Sequence, residues 1–110
     1  MKLLVIGSRE ISDFDLSPYI PSQIDTIISG GARGIDGLAE QYADLHNLSK
    51  YIIRPRYEVY GKFAPLKRNE KMVEISDTVL AIWDGRSKGT RYTIEYAKKM
   101  KKPITVIVLD

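Results

Sequence analysis

The chain contains no cysteine, which excludes a disulfide framework and any metal held by thiolates. Its one histidine, His46, is too few for a zinc site built on imidazoles. Neither a metal nor a cofactor is therefore expected. No apolar run approaches membrane length, and the opening MKLLVIG is too short for a signal peptide. The expectation is a cytoplasmic protein with no membrane partner. Internal repeats, low-complexity tracts and linkers are also missing, so the 110 residues are read as one domain spanning 1–110.

What is present is the composition of an ordinary globular domain, with 44% hydrophobic and 28% charged residues. A chain of this size buries roughly two-thirds of its extended surface, enough for a core without staples. The net charge of +3 suits an anionic partner only weakly. Much of it comes from KKMKK at 98–102, where lysines complement the C-terminal dipole of a helix.

Hydrophobic patterning divides the chain into alternating strands and helices. KLLVIGS, DTIIS, YIIRP, TVLAIW and PITVIVL are short apolar runs that read as strands. ISDFDLSPYIPSQ reads as a turn with one short helix, limited by Pro18 and Pro21. From Gly34 the period changes, and Ile35, Leu38, Ala39, Tyr42 and Leu45 share one helical face. RYEVYGKFA is expected to be an irregular loop, and PLKRNEKMVEIS a helix with Pro65 in its first turn. TRYTIEYAKKM forms the last helix, with Ile94, Ala97 and Met100 facing inward.

Strands that are continuously apolar, rather than alternating, belong to a sheet covered on both faces. The chain is thus expected to be an α/β three-layer sandwich around a five-stranded, mostly parallel sheet. Such sheets bind ligands beyond the carboxyl ends of their strands, where the strand order reverses. Attention falls on the loops after the first, second and fourth strands.

After the first strand, Gly7 permits a tight turn, Ser8 offers a hydroxyl, and Arg9 offers a planar cation for phosphate or carboxylate. After the second comes SGGARGID, Ser29 to Asp36. Gly30 and Gly31 let a ligand approach the backbone, Gly34 allows close packing at a helix start, and Arg33 adds a cation. Asp36 either complements the helix dipole or bonds a neighbouring loop. The spacing is neither GxGxxG nor the P-loop pattern. After the fourth strand, Trp83 is either core or a platform for a base, and Asp84, Gly85 and Ser87 form a turn. Gly89 and Thr90 begin a helix, with Thr90 serving as N-cap or as a phosphate or ribose ligand. Arg68 and Asn69, early on the preceding helix, can aim across the same edge. Arg68 is the leading candidate for a functional cation, whereas His46 reads as a surface or cap residue. Taken together, these residues suggest a nucleotide or sugar-phosphate cleft.

GSR, SGGARGID, YGKFAPLKRNEKM and SDTVLAIWDGRSKGT, in that order, resemble the SLOG superfamily, nearest its small single-domain branch related to YspA and YpsA. The resemblance implies a Rossmann-like fold and a nucleotide or nucleotide-derived small molecule as partner, sensed or sequestered. It also implies pairing through helices as a homodimer. Two branches offer alternatives. The lonely-guy phosphoribohydrolases release bases from nucleoside monophosphates, and Arg68, Met72, Ser76-Asp77 and Gly89-Thr90 resemble their motifs. However, Thr93 stands where their catalytic glutamate would be, and Glu95 lies two residues on, about 200° around a helix. Cleavage of a glycosidic bond calls for a carboxyl group there, so binding is the expectation and no catalytic residue is assigned. DNA-processing protein A has a turn like SGGARGID and an arginine–asparagine pair like Arg68-Asn69. That likeness implies single-stranded nucleic acid as an alternative partner. Arg56, Tyr57, Tyr60 and Lys62 would supply a fragment of such a track, or else a wall over the small ligand.

Overall fold

The computed structural model describes residues 1–109. Five strands run β1 Lys2–Gly7, β2 Thr26–Ser29, β3 Ser49–Ile52, β4 Thr78–Trp83 and β5 Ile104–Val108. The helices are α1 Ile35–Leu45, a single turn α2 Tyr57–Tyr60, α3 Ala64–Ile75 and α4 Lys88–Lys99. All strand pairs are parallel, in the order β3-β2-β1-β4-β5. The protein is therefore an α/β sandwich of Rossmann-like form, and its sheet is wholly parallel.

Alternation along the central strands explains the three layers. Leu3, Val5, Ile27, Leu80 and Ile82 join one cluster, which includes Ile35, Ala39 and Ala43 of α1. Their neighbours Leu4, Ile6, Ile28, Val79 and Ala81 join another, with Met72 and Val73 of α3 and Ile94 and Ala97 of α4. Each central strand is thus apolar on both faces because each face meets helices. The connections from β1 through β3 cover the first face, and those from β3 to β5 cover the second. The order reverses between β1 and β4, which leaves a crevice at their carboxyl ends.

Several local expectations are corrected. The third strand is Ser49–Ile52 rather than YIIRP, because β2 supplies pairing partners only from Thr26 to Ser29. Segment 11–23 forms a single 3-10 turn, Ser17–Tyr19. Residues 57–63, expected to be irregular, wind into α2 and a following 3-10 turn. Leu45, at the last position of α1, is 83% exposed, and Ala43 takes the inward place instead. Met100 lies past the end of α4 and is exposed. His46 ends α1 as expected, stacked on Tyr42 with centroids 4.1 Å apart.

Candidate functional site

A cleft of about 450 Å³ opens at the carboxyl ends of β1 and β4. Of the candidate residues, Gly7, Ser8, Arg9, Asp36, Arg68, Asn69, Asp84, Gly89 and Thr90 line it. They come from four separated segments, which the parallel sheet gathers at one edge.

The loop after β1 is tied to the loop after β4. Buried Ser8 donates its backbone N–H to the Ile82 carbonyl at 3.1 Å, and its hydroxyl accepts from the Asp84 N–H at 3.0 Å. Asp84 in turn accepts from the N–H groups of Arg86 and Ser87, at 2.8 and 2.9 Å. These backbone bonds hold its carboxyl below the usual carboxylate range. Asp84 therefore shapes the turn that leads into α4. Ser87 is the N-cap of that helix, with its hydroxyl accepting from the Thr90 N–H at 3.4 Å. Thr90 itself is buried inside the first turn, so the capping role belongs to Ser87. The start of α4 is left facing the cleft through Ser87, Gly89 and Thr90.

Across the cleft, Arg68 holds the glycine loop. Its Nη1 donates to the Gly30 carbonyl at 2.7 Å and the Ile53 carbonyl at 3.2 Å. A Cβ on Gly30 would stand 2.7 Å from that nitrogen, so a larger residue would push the guanidinium aside. Arg68 Nε donates to Asn69 Oδ1 at 2.7 Å, and Asn69 Nδ2 donates to the Thr93 hydroxyl at 2.9 Å. The Thr93 hydroxyl donates to the Gly89 carbonyl at 2.8 Å. This relay joins β2, α3 and α4 and fixes the cleft wall. At position 93 it leaves a buried hydroxyl already engaged on both sides. Glu95 faces outward and pairs with Arg91 at 3.2 Å.

Asp36 is buried and accepts from the Ala32 N–H at 3.2 Å, so it braces the glycine loop. Burial pushes its carboxyl upward, against the lowering influence of that hydrogen bond and of Arg68. Burial likewise lowers the Arg68 guanidinium, and Asp36 opposes the shift. Arg68 lines the cleft but is spent on carbonyl and amide oxygens, whereas Arg9 and Arg86 line it with neither an ion pair nor a side-chain hydrogen bond among the described residues. They are the cations free to meet an anion.

The remaining candidates stand behind or beside the cleft. Ser29 is buried, donating to Glu40 at 3.0 Å and accepting from the Gly31 N–H at 3.2 Å. Gly30 and Gly31 form the loop that Arg68 and Arg54 back. Gly34 packs against the Arg9 carbonyl, and Arg33 pairs with Glu10 at 2.7 Å on the surface. Trp83 is partly buried in the core, and its indole N–H donates to the Ser87 carbonyl at 3.0 Å. It secures the loop and is not part of the cleft lining. Arg56 and Tyr60 line a different hollow. Sequence reasoning missed Arg86, and it placed Ser87 in the turn with Asp84 and Gly85, as the hydrogen bond from its N–H to Asp84 bears out, without its capping role. The serine three residues before Thr90 was the available sign of a helix cap.

These features define a doubly wound α/β protein of the Rossmann-like class, with a cleft at its switch point that three arginines help to line. The chain is 36% identical over 84 residues to the Gene 61 protein of Mycobacterium phage D29, a match covering 71% of this chain and 67% of that relative. It belongs to the family of that protein. It is also 37% identical over 65 residues to the SPbeta prophage-derived protein YoqJ of Bacillus subtilis (strain 168), covering 56% of this chain but only 37% of YoqJ. No family model matches the chain, and no solved structure matches it with significance. Among the described residues no helix is long and apolar enough to cross a membrane, and no cluster of side chains is suited to a metal.

Proposed function

We propose that the cleft binds a nucleotide or nucleotide-derived small molecule, as a sensing or sequestering domain. The carrying observation is the pairing of unengaged Arg9 and Arg86 with the exposed start of α4 in one cleft. Guanidinium groups and free helix N–H groups are complementary to phosphate. The volume of about 450 Å³ suits a ligand of mononucleotide size. The likeness of these loops to SLOG motifs supports the same reading. Binding is favoured over glycosidic cleavage because Thr93 and Asn69 satisfy each other, and no carboxyl group occupies position 93.

Thermal-shift and calorimetric titration with nucleoside monophosphates, cyclic nucleotides and ADP-ribose tests this. A ligand at a hundredfold its Kd adds about 2.7 kcal/mol of stability, which a melting curve resolves. The response is expected to fall sharply in Arg9→Ala and Arg86→Ala, whose exposed side chains make no hydrogen bond or ion pair among the described residues. If no compound shifts the melting temperature, or both variants respond as the parent does, the reading fails. Release of free base, followed by chromatography in the same mixtures, would replace binding with phosphoribohydrolase activity.

A further inference from the structure

β3 is an edge strand, and three of its four residues are exposed. Its inner side is spent on β2, where Ser49 and Ile53 donate their N–H groups to the Asp25 and Ser29 carbonyls at 3.1 and 2.9 Å. Backbone groups alternate along a strand, so Lys50 and Ile52 turn both N–H and C=O away from β2. No turn, loop or cap among the described residues returns to engage them. An edge of this kind is a template for pairing with another extended chain.

A hollow of about 480 Å³ opens beside this edge, between the end of β3 and the outer face of α3. Five cations line it and, among the described residues, no carboxylate does. Arg68 is shared with the main cleft and is committed to the Gly30 and Ile53 carbonyls. Arg54 and Lys71 form no ion pair among the described residues. Lys67 meets only Glu70, at 3.8 Å on the surface, a contact that contributes little. Tyr51 pairs in register with Ile28, which packs in one cluster with Met72 and Val73 of α3. The Tyr51 ring, 53% exposed, therefore stands on the face of the sheet that carries the hollow. Lys50 lies on the opposite face, held to Asp44 at 2.9 Å. A strand added beyond β3 has every second side chain beside Tyr51, facing these cations.

We infer that the β3 edge and this hollow form one docking surface, distinct from the small-molecule cleft, for an extended acidic segment of a partner protein. The segment pairs with the backbone of Lys50 and Ile52, and its acidic side chains, at alternate positions, meet Arg54, Lys67 and Lys71. The edge presents donors and acceptors in turn. A peptide backbone satisfies both, whereas a phosphodiester backbone supplies acceptors only. A second copy of this chain would set the same lysines and arginines against one another, so the charges select a different partner.

Fluorescence anisotropy of the whole chain with a labelled hexapeptide of alternating glutamate and valine tests the inference. Binding is expected at low salt and should weaken as salt rises. Methylating the peptide's amide nitrogens at every second residue removes donors along one of its edges only. One of the two methylated series should lose binding and the other should keep it. The double variant Lys67→Ala, Lys71→Ala should bind about fivefold more weakly, the worth of two exposed ion pairs. Both lysines are exposed, and circular dichroism verifies that the variant remains folded. Arg86→Ala should bind the peptide as the parent does, and a loss there would move the peptide to the main cleft and overturn the inference. No anisotropy change with the unmethylated peptide also overturns it. If the two methylated series behave alike, strand pairing is absent and the inference fails. It fails equally if the lysine variant binds unaltered, or if an oligothymidylate of matched charge binds more tightly than the peptide.

Discussion

The Arg68 guanidinium and the Gly30 carbonyl lie 2.7 Å apart, joining the third helix to the glycine loop after the second strand. The cation most readily taken for a ligand-binding group is thus a brace of the protein itself. The same Nη1 also donates to the Ile53 carbonyl, and Nε donates to Asn69. Removing it therefore affects stability before it affects binding. Hydrogen bonds from a charged group contribute about 1.5–3 kcal/mol. Arg68→Ala is expected to cost about 2 kcal/mol and lower Tm by roughly 10 °C. Differential scanning calorimetry checks this; an unchanged Tm would mean that the brace is idle.

Two glycines separate conformational need from mere presence. Gly34 sits at φ 74°, ψ −128°, and a Cβ there would stand 2.5 Å from the Arg9 carbonyl oxygen. Gly34→Ala combines backbone strain with a clash and is expected to cost about 3 kcal/mol. Gly37, inside the first helix, faces open space. Gly37→Ala should stabilise by about 0.5–1 kcal/mol through helix propensity. Chemical denaturation of the two variants should move their midpoints in opposite directions.

Burial raises the Asp36 carboxyl above its unfolded value of 3.8. The stability linked to its neutral form is fully present below that value and is lost as pH rises through the folded pKa. Asp36→Asn keeps an oxygen for the Ala32 N–H while removing the buried charge. It should raise Tm at neutral pH, with a gain that shrinks toward zero as the pH falls below 3.8. Asp84 behaves in the opposite sense. Its lowered carboxyl stabilises above 3.8, and that contribution is lost as pH falls through the folded value. Melting curves across pH for the two asparagine variants should therefore diverge in sign at neutrality.

The sheet was legible because β-branched runs such as TIIS and TVLAIW have no other economical use, and all five strands appear. Where the third strand stops was not legible. That limit is set by the length of β2 beside it rather than by Pro55. The face of the first helix was partly misread for a related reason. Leu45 fits the apolar period but lies past the edge of the layer, whereas small Ala43 packs against it. The same distinction governs the site. Parallel topology brings the loops after β1, β2 and β4 to one edge, so GSR, SGGARGID and KGT could be grouped before any coordinates. Which side of each loop faces the cleft depends on tertiary bonds. Arg33 turns to Glu10, Trp83 turns to the Ser87 carbonyl, and Ser29 turns to Glu40. Arg86 remains for the cleft, though nothing in its local pattern distinguishes it from Arg33.

The contact between Asn69 and Thr93 yields the final prediction. Thr93→Val keeps the shape of the side chain and removes the hydroxyl that accepts from Asn69 and donates to Gly89. Leaving a polar group without its partner costs about 1–3 kcal/mol when it is fully buried; Asn69 is half-buried and lines the cleft, so the variant should be destabilised by about 1 kcal/mol. Asn69→Ala alone should also destabilise, because it frees both Arg68 Nε and the Thr93 hydroxyl. Once either partner is gone, losing the other should cost less, leaving the double variant about 1 kcal/mol more stable than additivity requires. Urea denaturation of the four proteins measures that coupling. Strict additivity would show that the relay between the third and fourth helices contributes no stability, and that the cleft wall is held by apolar packing alone.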